Sequence, residues 1–425
     1  MRYLAIPLLS LALACSEHRE PPAIAPSAQP TSQHEQPERL VHFIDTPTLE
    51  QAIALGALPT DAPQSELARH LNQGPDYDAV LNNVDPASST VFVAERRRSG
   101  HWIANIWNSD RTGRQEISYT NLNTGADISV ARIADGEITN VWIKQLNDDT
   151  PPLERTTETS TFLGERCAIW RARPLDTPGL QSIGESCITN DGIQLWWQTR
   201  NVGHPTIAPY VSRRVEVASL TRSPVDAARS RPPRVIFNWA YWRDRSARIA
   251  STLAPGDAPP DHTIWYGRQR NAENGNVVRA QYRDNVRMRL SHQWYEYGSE
   301  RELRYEAPGV SMFATIRAGT NPVRTITIAT QEQALSWRPD PVLMQRDPTP
   351  ETILGRQCYW QTLRQPPHDA GGRSCWTDDG FILAEDWFGR GPGGGEVAVR
   401  LDTTRPAAPL VPPSELFTWI RAIAE

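Results

Sequence analysis

The chain has 425 residues and a net charge of −5, from 44 basic and 49 acidic side chains. This balance argues against a nucleic-acid partner, because such partners are held by an excess of Lys and Arg. One hydrophobic core rarely serves so long a chain, so two domains are expected. The 36 Pro and 26 Gly, set between short β-branched segments, favour a turn-rich β protein.

The first residues are typical of a secretory leader. Arg2 precedes an apolar run over residues 3–13, too short to span a bilayer, which needs about 20 residues. The run ends beside Cys15 and resembles a bacterial lipoprotein signal. That resemblance implies removal of the signal peptide 1–14, lipidation of Cys15 and, from Ser16, retention on the periplasmic side of the outer membrane. The alternative is an ordinary cleaved signal with an incidental cysteine.

Residues 15–40 predict a disordered tether. They are rich in Pro, Ser, Gln and Glu and hold few large apolar side chains, so they cannot bury enough surface to fold. Two short helices are expected next, at Thr48–Leu58 and Ser65–Asn72, because Thr48 and Ser65 are suitable N-caps.

Strands at regular spacing with turn signals between them then predict an antiparallel meander. The predicted strands are Thr90–Glu95, His101–Trp107, Gln115–Thr120, Ala126–Arg132 and Ile138–Gln145. A polar connection at Asp148–Thr157 leads to the next unit.

A cysteine-framed motif follows, and it occurs twice, over residues 163–195 and 354–383. Each copy has Leu-Gly-x-x-Cys, a loop, Ser-Cys and a tight reversal at Asn-Asp-Gly or Asp-Asp-Gly. The match continues to Pro-Pro and Phe-x-Trp, at 232–239 in the first copy and 412–419 in the second. The chain therefore contains a tandem duplication.

The duplication predicts a mainly β (α+β) fold of two tandem antiparallel domains with a few short helices, over 41–242 and 263–425. Residues 243–262, polar and Pro-rich, are interpreted as the linker, and Arg338–Pro350 as a second polar connection. The strands predicted in the second copy are Thr263–Gln269, Val277–Arg283, Val286–Ser291, Glu302–Glu306, Val310–Ile316 and Val323–Ala329.

Four cysteines remain once Cys15 is assigned to lipid, and they allow three pairings. The duplication selects one, because each domain must close its own pair: Cys167 with Cys187, and Cys358 with Cys375. The absence of a Cys-x-x-Cys motif makes these structural disulfides rather than a redox or zinc site. Neither a metal nor a cofactor is expected.

The 15 tryptophans allow two interpretations. Those on predicted strands can fill the sheet interior, since an aromatic side chain buries roughly 150–250 Å². They can equally line an apolar surface that binds a ligand. The candidate ligand-binding residues are Trp170, Trp196, Trp360 and Trp387.

The cysteine units, with Pro-Pro and an aromatic further on, resemble a family of exported bacterial domains of unknown function. Those domains are similar to the periplasmic lipoprotein carrier LolA and the outer-membrane receptor LolB. The resemblance implies a curved half-barrel closed by helices over an apolar cavity that holds acyl chains. The chain departs from that family by having two domains and two disulfides, and it lacks the receptor's exposed hydrophobic loop.

These features predict a non-enzymatic, membrane-anchored periplasmic lipoprotein that binds a hydrophobic or lipidic ligand. The alternative is a structural or adaptor protein that binds another envelope protein. A hydrolase is the third possibility, but the sequence offers no converging set of titratable residues for it.

Overall fold

A computed structural model describes residues 66–85, 90–108, 114–133, 136–146, 153–172, 181–202, 210–253, 259–269, 275–295, 298–319, 323–331, 344–363, 371–388 and 394–424. Cys15, the predicted tether and the predicted helix Thr48–Leu58 lie outside these ranges.

The fold is mainly β, as predicted, and its strands form one large curved antiparallel sheet. Short helices accompany it: α1 (Glu66–Asn72), α2 (Ala227–Ser230), a 3₁₀ turn (Arg234–Phe237), α3 (Trp239–Ala250) and α4 (Ser414–Ala424). Among the described residues, no helix has both the length and the apolar character needed to cross a bilayer.

The first repeat contributes strands that pair in the order β7-β8-β9-β10-β11-β1-β2-β3-β4-β5-β6. Their bounds are β1 Tyr77–Asp85, β2 Thr90–Ser99, β3 Trp102–Asn108, β4 Gln115–Asn121, β5 Ala126–Arg132, β6 Ile138–Leu146, β7 Leu153–Phe162, β8 Glu165–Ala172, β9 Gln181–Thr189, β10 Gln194–Val202 and β11 Tyr210–Thr221.

The second repeat has the same topology, with the order β18-β19-β20-β21-β22-β12-β13-β14-β15-β16-β17. The bounds are β12 His262–Gln269, β13 Gly275–Arg283, β14 Val286–Tyr295, β15 Gly298–Ala307, β16 Gly309–Gly319, β17 Val323–Gln331, β18 Met344–Ile353, β19 Arg356–Leu363, β20 Gly371–Trp376, β21 Ile382–Phe388 and β22 Gly394–Asp402. The duplication inferred from sequence is thus visible strand by strand.

The two repeats meet where β6 pairs with β17, the equivalent strand of the other repeat. Ile143 faces Ile326 and Val141 faces Ile328, and all four are buried. This reciprocal register is the one that a local two-fold axis between the repeats produces. The sheet therefore continues from one repeat into the other.

Each predicted meander strand is present, but five strands were not predicted, namely β1, β7, β11, β18 and β22. Half of β7 and most of β18 lie within the segments interpreted as polar connections. β7 and β18 each pair with a single strand, and most of their residues are exposed or half-buried. Because both faces of such edge strands meet solvent, they carry no apolar alternation to detect. Pro348 and Pro350 are tolerated in β18 for the same reason.

The tight reversal has the same hydrogen bonds in both repeats. The amide of Ile193 donates to Thr189 Oγ1 at 2.8 Å, and the amide of Phe381 donates to Thr377 Oγ1 at 2.8 Å. Gly192, which precedes Ile193, has a positive φ of 81°, a backbone conformation that favours glycine.

The cysteines pair within each repeat. The Cα atoms of Cys167 and Cys187 lie 5.4 Å apart, and those of Cys358 and Cys375 lie 5.3 Å apart. Each disulfide links adjacent strands, β8 to β9 and β19 to β20. Two structural disulfides are typical of a protein outside the cytoplasm.

The largest buried cluster draws on both repeats. It combines β3–β6 of the first repeat with β15–β17 of the second, and the 3₁₀ turn, α3 and α4 contribute side chains to it. α3 packs on β16, where Ser246 Oγ donates to the carbonyl of Pro308 at 2.6 Å. Trp242 of α3 is fully buried. Residues 243–250 of the predicted linker are therefore helical. Their polar composition is compatible with a helix, because a helix that packs on a sheet through one face needs only a narrow apolar stripe.

Candidate functional site

A cleft lies between the helices and the sheet of the second repeat. Its volume is about 880 Å³. It is lined by the start of α3, the start of α4 and the facing strands β13 and β14, through Arg234, Phe237, Asn238, Trp239, Arg243, Arg279, Met288, Leu290, Val411, Pro412, Pro413, Ser414, Phe417 and Arg421.

Aromatic and aliphatic side chains form the floor of this cleft. The ring of Trp239 lies 5.7 Å from that of Phe417 and meets Tyr305 edge-on at 5.3 Å. Met288 and Leu290 of β14 complete the apolar surface. Such edge-on aromatic contacts hold the indole in one orientation.

The duplicated Pro-Pro and Phe-x-Trp motif builds both helical sides of the cleft. In the first copy the amide of Ile236 donates to the carbonyl of Pro233 at 3.2 Å, and in the second Leu416 donates to Pro413 at 3.2 Å. Proline suits the first turn of a helix, because its fixed φ is helical and it needs no amide partner there. The same motif therefore starts a helical turn at both positions. This repeated motif was the sequence signal that could have identified the cleft residues.

Arginines surround the apolar floor. Four of the lining residues are Arg and none is Asp or Glu, so the described lining carries a formal charge of +4. Arg279 comes from β13, Arg421 from α4, and Arg234 and Arg243 from the segment around the start of α3. The cleft can therefore offer apolar surface and hydrogen-bond donors of positive charge together.

The corresponding face of the first repeat is covered. Strand order makes β2 and β3 equivalent to β13 and β14, and α2 packs on β2 and β3. In the first repeat Pro232 follows Val217 by 15 residues (232 − 217). In the second repeat the equivalent Pro412 follows Val399 by 13 residues (412 − 399). The first repeat therefore has two additional residues in the segment that contains α2. The repeats thus differ at the position of the cleft.

The four predicted ligand-binding tryptophans are not among the residues that line the cleft. Trp170 is buried beside His70, and Trp196 belongs to the core of the first repeat. The indole of Trp360 donates to Glu351 at 2.6 Å and lies under Arg373. Trp387 lies on β21, and its side chain is outside what the structure describes.

Other charged clusters are satisfied by their own partners. In the second repeat Arg289 lies 2.8 Å from Glu385 and 2.5 Å from Glu396. Burial alone would lower the pKa of Arg289, but the two carboxylates hold it above its ordinary value. In the first repeat Glu185 accepts from Arg171 at 2.7 Å and from Gln198 at 2.6 Å. Within the described ranges, no group of three or more His, Cys, Asp or Glu could hold a metal ion.

No family model matches the chain, and no curated protein matches it. Among solved structures, MucB in complex with MucA(peri) is similar at 12% identity over 64% of this chain and 95% of that chain, with a TM-score of 0.22. Caulobacter crescentus pol III beta is similar at 10% identity over 67% and 97%, with a TM-score of 0.08. TM-scores this low do not establish a shared fold.

Proposed function

We propose that the protein binds a hydrophobic ligand in the cleft of the second repeat and is a binding protein rather than an enzyme. The observation that supports this most is the apolar floor of Trp239, Met288, Leu290 and Phe417 within a cleft of about 880 Å³. Pockets of about 300–1,000 Å³ with mainly apolar walls suit one small molecule.

The proposal can be tested with a substitution that fills the cleft. Met288→Trp places an indole in the space, so a neutral fluorescent probe such as N-phenylnaphthylamine should bind about tenfold more weakly than to the natural protein. Val397→Trp is the matched control, because Val397 is exposed on β22 and does not line the cleft. Binding that is equal in the natural protein and both variants would contradict the proposal.

We further propose that Cys15 carries a lipid that anchors the protein to the periplasmic side of the outer membrane. The support is the short apolar leader that ends at this cysteine. Cys15→Ser should move the protein from the membrane fraction to the soluble fraction. Unchanged membrane association would contradict the anchor and leave the cleft proposal untouched.

The adaptor alternative has an observation of its own. Phe92 and Val93 are 50% and 59% exposed at the start of β2, where successive side chains point to opposite faces, so both faces of this strand end offer apolar surface to a partner. A photo-reactive amino acid in place of Phe92 should then give one defined crosslinked protein in cells. Arg229, exposed on α2, is the control position. Equal crosslinking at both positions would exclude this alternative.

A further inference from the structure

We infer that the ligand is anionic: a single-chain amphiphile whose acid group is held by the arginines around the cleft. This inference rests on the proposed function and specifies the ligand class. In this inference the arginines of the lining bind the acid group, whereas the apolar floor binds the chain of the ligand.

The charge of the cleft lining is opposite in sign to that of the whole chain. The chain as a whole carries −5, yet the described lining holds four Arg and neither Asp nor Glu. A neutral ligand would gain nothing from this excess, and a cationic one would be repelled by it. An anion gains from each guanidinium, which stays protonated at any physiological pH.

Among the described residues, two of these arginines have no carboxylate partner. In the described part of the chain, no Asp or Glu pairs with Arg234 or Arg279, whereas Arg289 on the opposite face of the sheet holds two carboxylates. Arg243 pairs only with Asp244, its exposed neighbour, at 3.0 Å, and such surface pairs are weak. Arg279 and Arg234 therefore have donors available for a bound acid.

The arginines of the cleft lie next to its apolar floor. Arg279 of β13 pairs directly with Leu290 of β14. Arg421 follows Phe417 by one helical turn, and its Nε donates to the Phe417 carbonyl at 3.2 Å, so its guanidinium is anchored to the backbone of α4. Positive charge thus borders apolar surface on both sides of the cleft. This arrangement matches an amphiphile, with its chain on the floor and its acid at the edge.

The experiment compares head groups on one chain length. Dodecanoate, dodecyl phosphate and neutral monododecanoylglycerol, each below its micelle concentration, compete with N-phenylnaphthylamine on the full-length protein. We expect at least one of the two anions to bind about tenfold more tightly than the neutral compound, equal to about 1.4 kcal/mol. The carboxylate and the phosphate arms separate a free fatty acid from a phosphorylated lipid.

Arg279→Met should remove most of this preference, measured as the ratio of the affinity for the anion to the affinity for the neutral compound. Arg229→Met is the matched control, since Arg229 is an exposed arginine outside the cleft. Arg279→Glu should shift the preference towards dodecyltrimethylammonium. Raising the salt from 0.1 M to 1 M shortens the screening length from about 10 Å to about 3 Å and should reduce the anion preference.

The outcomes separate this inference from the function on which it rests. If anionic and neutral compounds bind equally, or if Arg279→Met leaves the ratio unchanged in a variant with the natural melting temperature, the anion inference is overturned and the hydrophobic cleft stands. If neither the probe nor any amphiphile binds, both are overturned.

Discussion

His262, the first residue of β12, shows how one buried side chain couples folding to pH. Its ring is 2% exposed, stacks on Tyr282 at 4.3 Å and meets Phe381 edge-on at 4.8 Å. Nδ1 lies 2.6 Å from the carbonyl of Pro260, so the neutral ring donates from that nitrogen. Burial lowers the pKa of His262 to about 4, against the opposing influence of the Pro260 carbonyl and two aspartates.

The folded protein should therefore lose stability as the pH falls from about 6.5 to about 4. Over that range the unfolded histidine, with a pKa of about 6.5, binds a proton that the folded one does not, and above it the contribution is complete. The effect approaches about 3 kcal/mol at the acid end. His262→Phe keeps the ring stacking and removes the titration, so its free energy of unfolding should fall less between pH 7.5 and pH 4.5. Urea denaturation at the two pH values measures this, and an unchanged difference would contradict it.

The tight turn after the second cysteine is an element shared by both repeats, but its surroundings differ. Gly192 and Gly380 have φ values of 81° and 92°. A Cβ on Gly192 would lie 2.6 Å from the carbonyl oxygen of His70, at the end of α1. A Cβ on Gly380 would meet only Pro260 Cδ, at 3.6 Å. Only the first turn therefore packs against backbone.

The two glycines form a matched pair for mutation. Gly380→Ala should cost about 1–2 kcal/mol, the penalty of a left-handed conformation for a residue with a Cβ. Gly192→Ala carries the same penalty and must also displace the α1 backbone, so it should cost clearly more. Urea denaturation of both variants measures the difference. Equal losses would show that α1 moves away without cost.

At the scale of the whole molecule, the repeats are joined by more than a linker. β6 pairs with β17, and the largest core cluster contains side chains of both repeats. Arg245 of α3 pairs with Glu137 of the first repeat at 2.7 Å, while the same helix packs on β16 of the second. α3 therefore contributes to both halves at once.

Separated halves, residues 41–253 and 259–425, should consequently fold poorly on their own. Each would expose its side of the shared cluster and leave β6 or β17 as an open edge, which invites aggregation. The full chain cut at an inserted protease site within 254–258 should instead remain one particle in size-exclusion chromatography. If each isolated half unfolds cooperatively near the natural melting temperature, the predicted independent domains are correct and the shared core is dispensable.

The sequence by itself determined the features that depend on local chemistry. β-rich runs at regular spacing, separated by turn signals, located the meander strands, because turn residues mark the ends of short strands. The Thr-x-Asp-Gly reversals and the repeated cysteine spacing revealed the duplication and the pairing of cysteines within each repeat. The sequence did not predict edge strands β7 and β18, because most of their side chains are exposed or half-buried and so show no alternation of apolar and polar residues.

Only the tertiary structure decided where a ligand could bind. Trp170 and Trp196 could be interpreted from sequence as cavity residues, but long-range packing places them in the core. Trp239 and Phe417 lie 178 residues apart (417 − 239), and their rings meet because helices from the two repeats converge on one face of the sheet. Arg279 joins them from β13. No local pattern encodes such an encounter, since it depends on how the duplicated halves pair about β6 and β17.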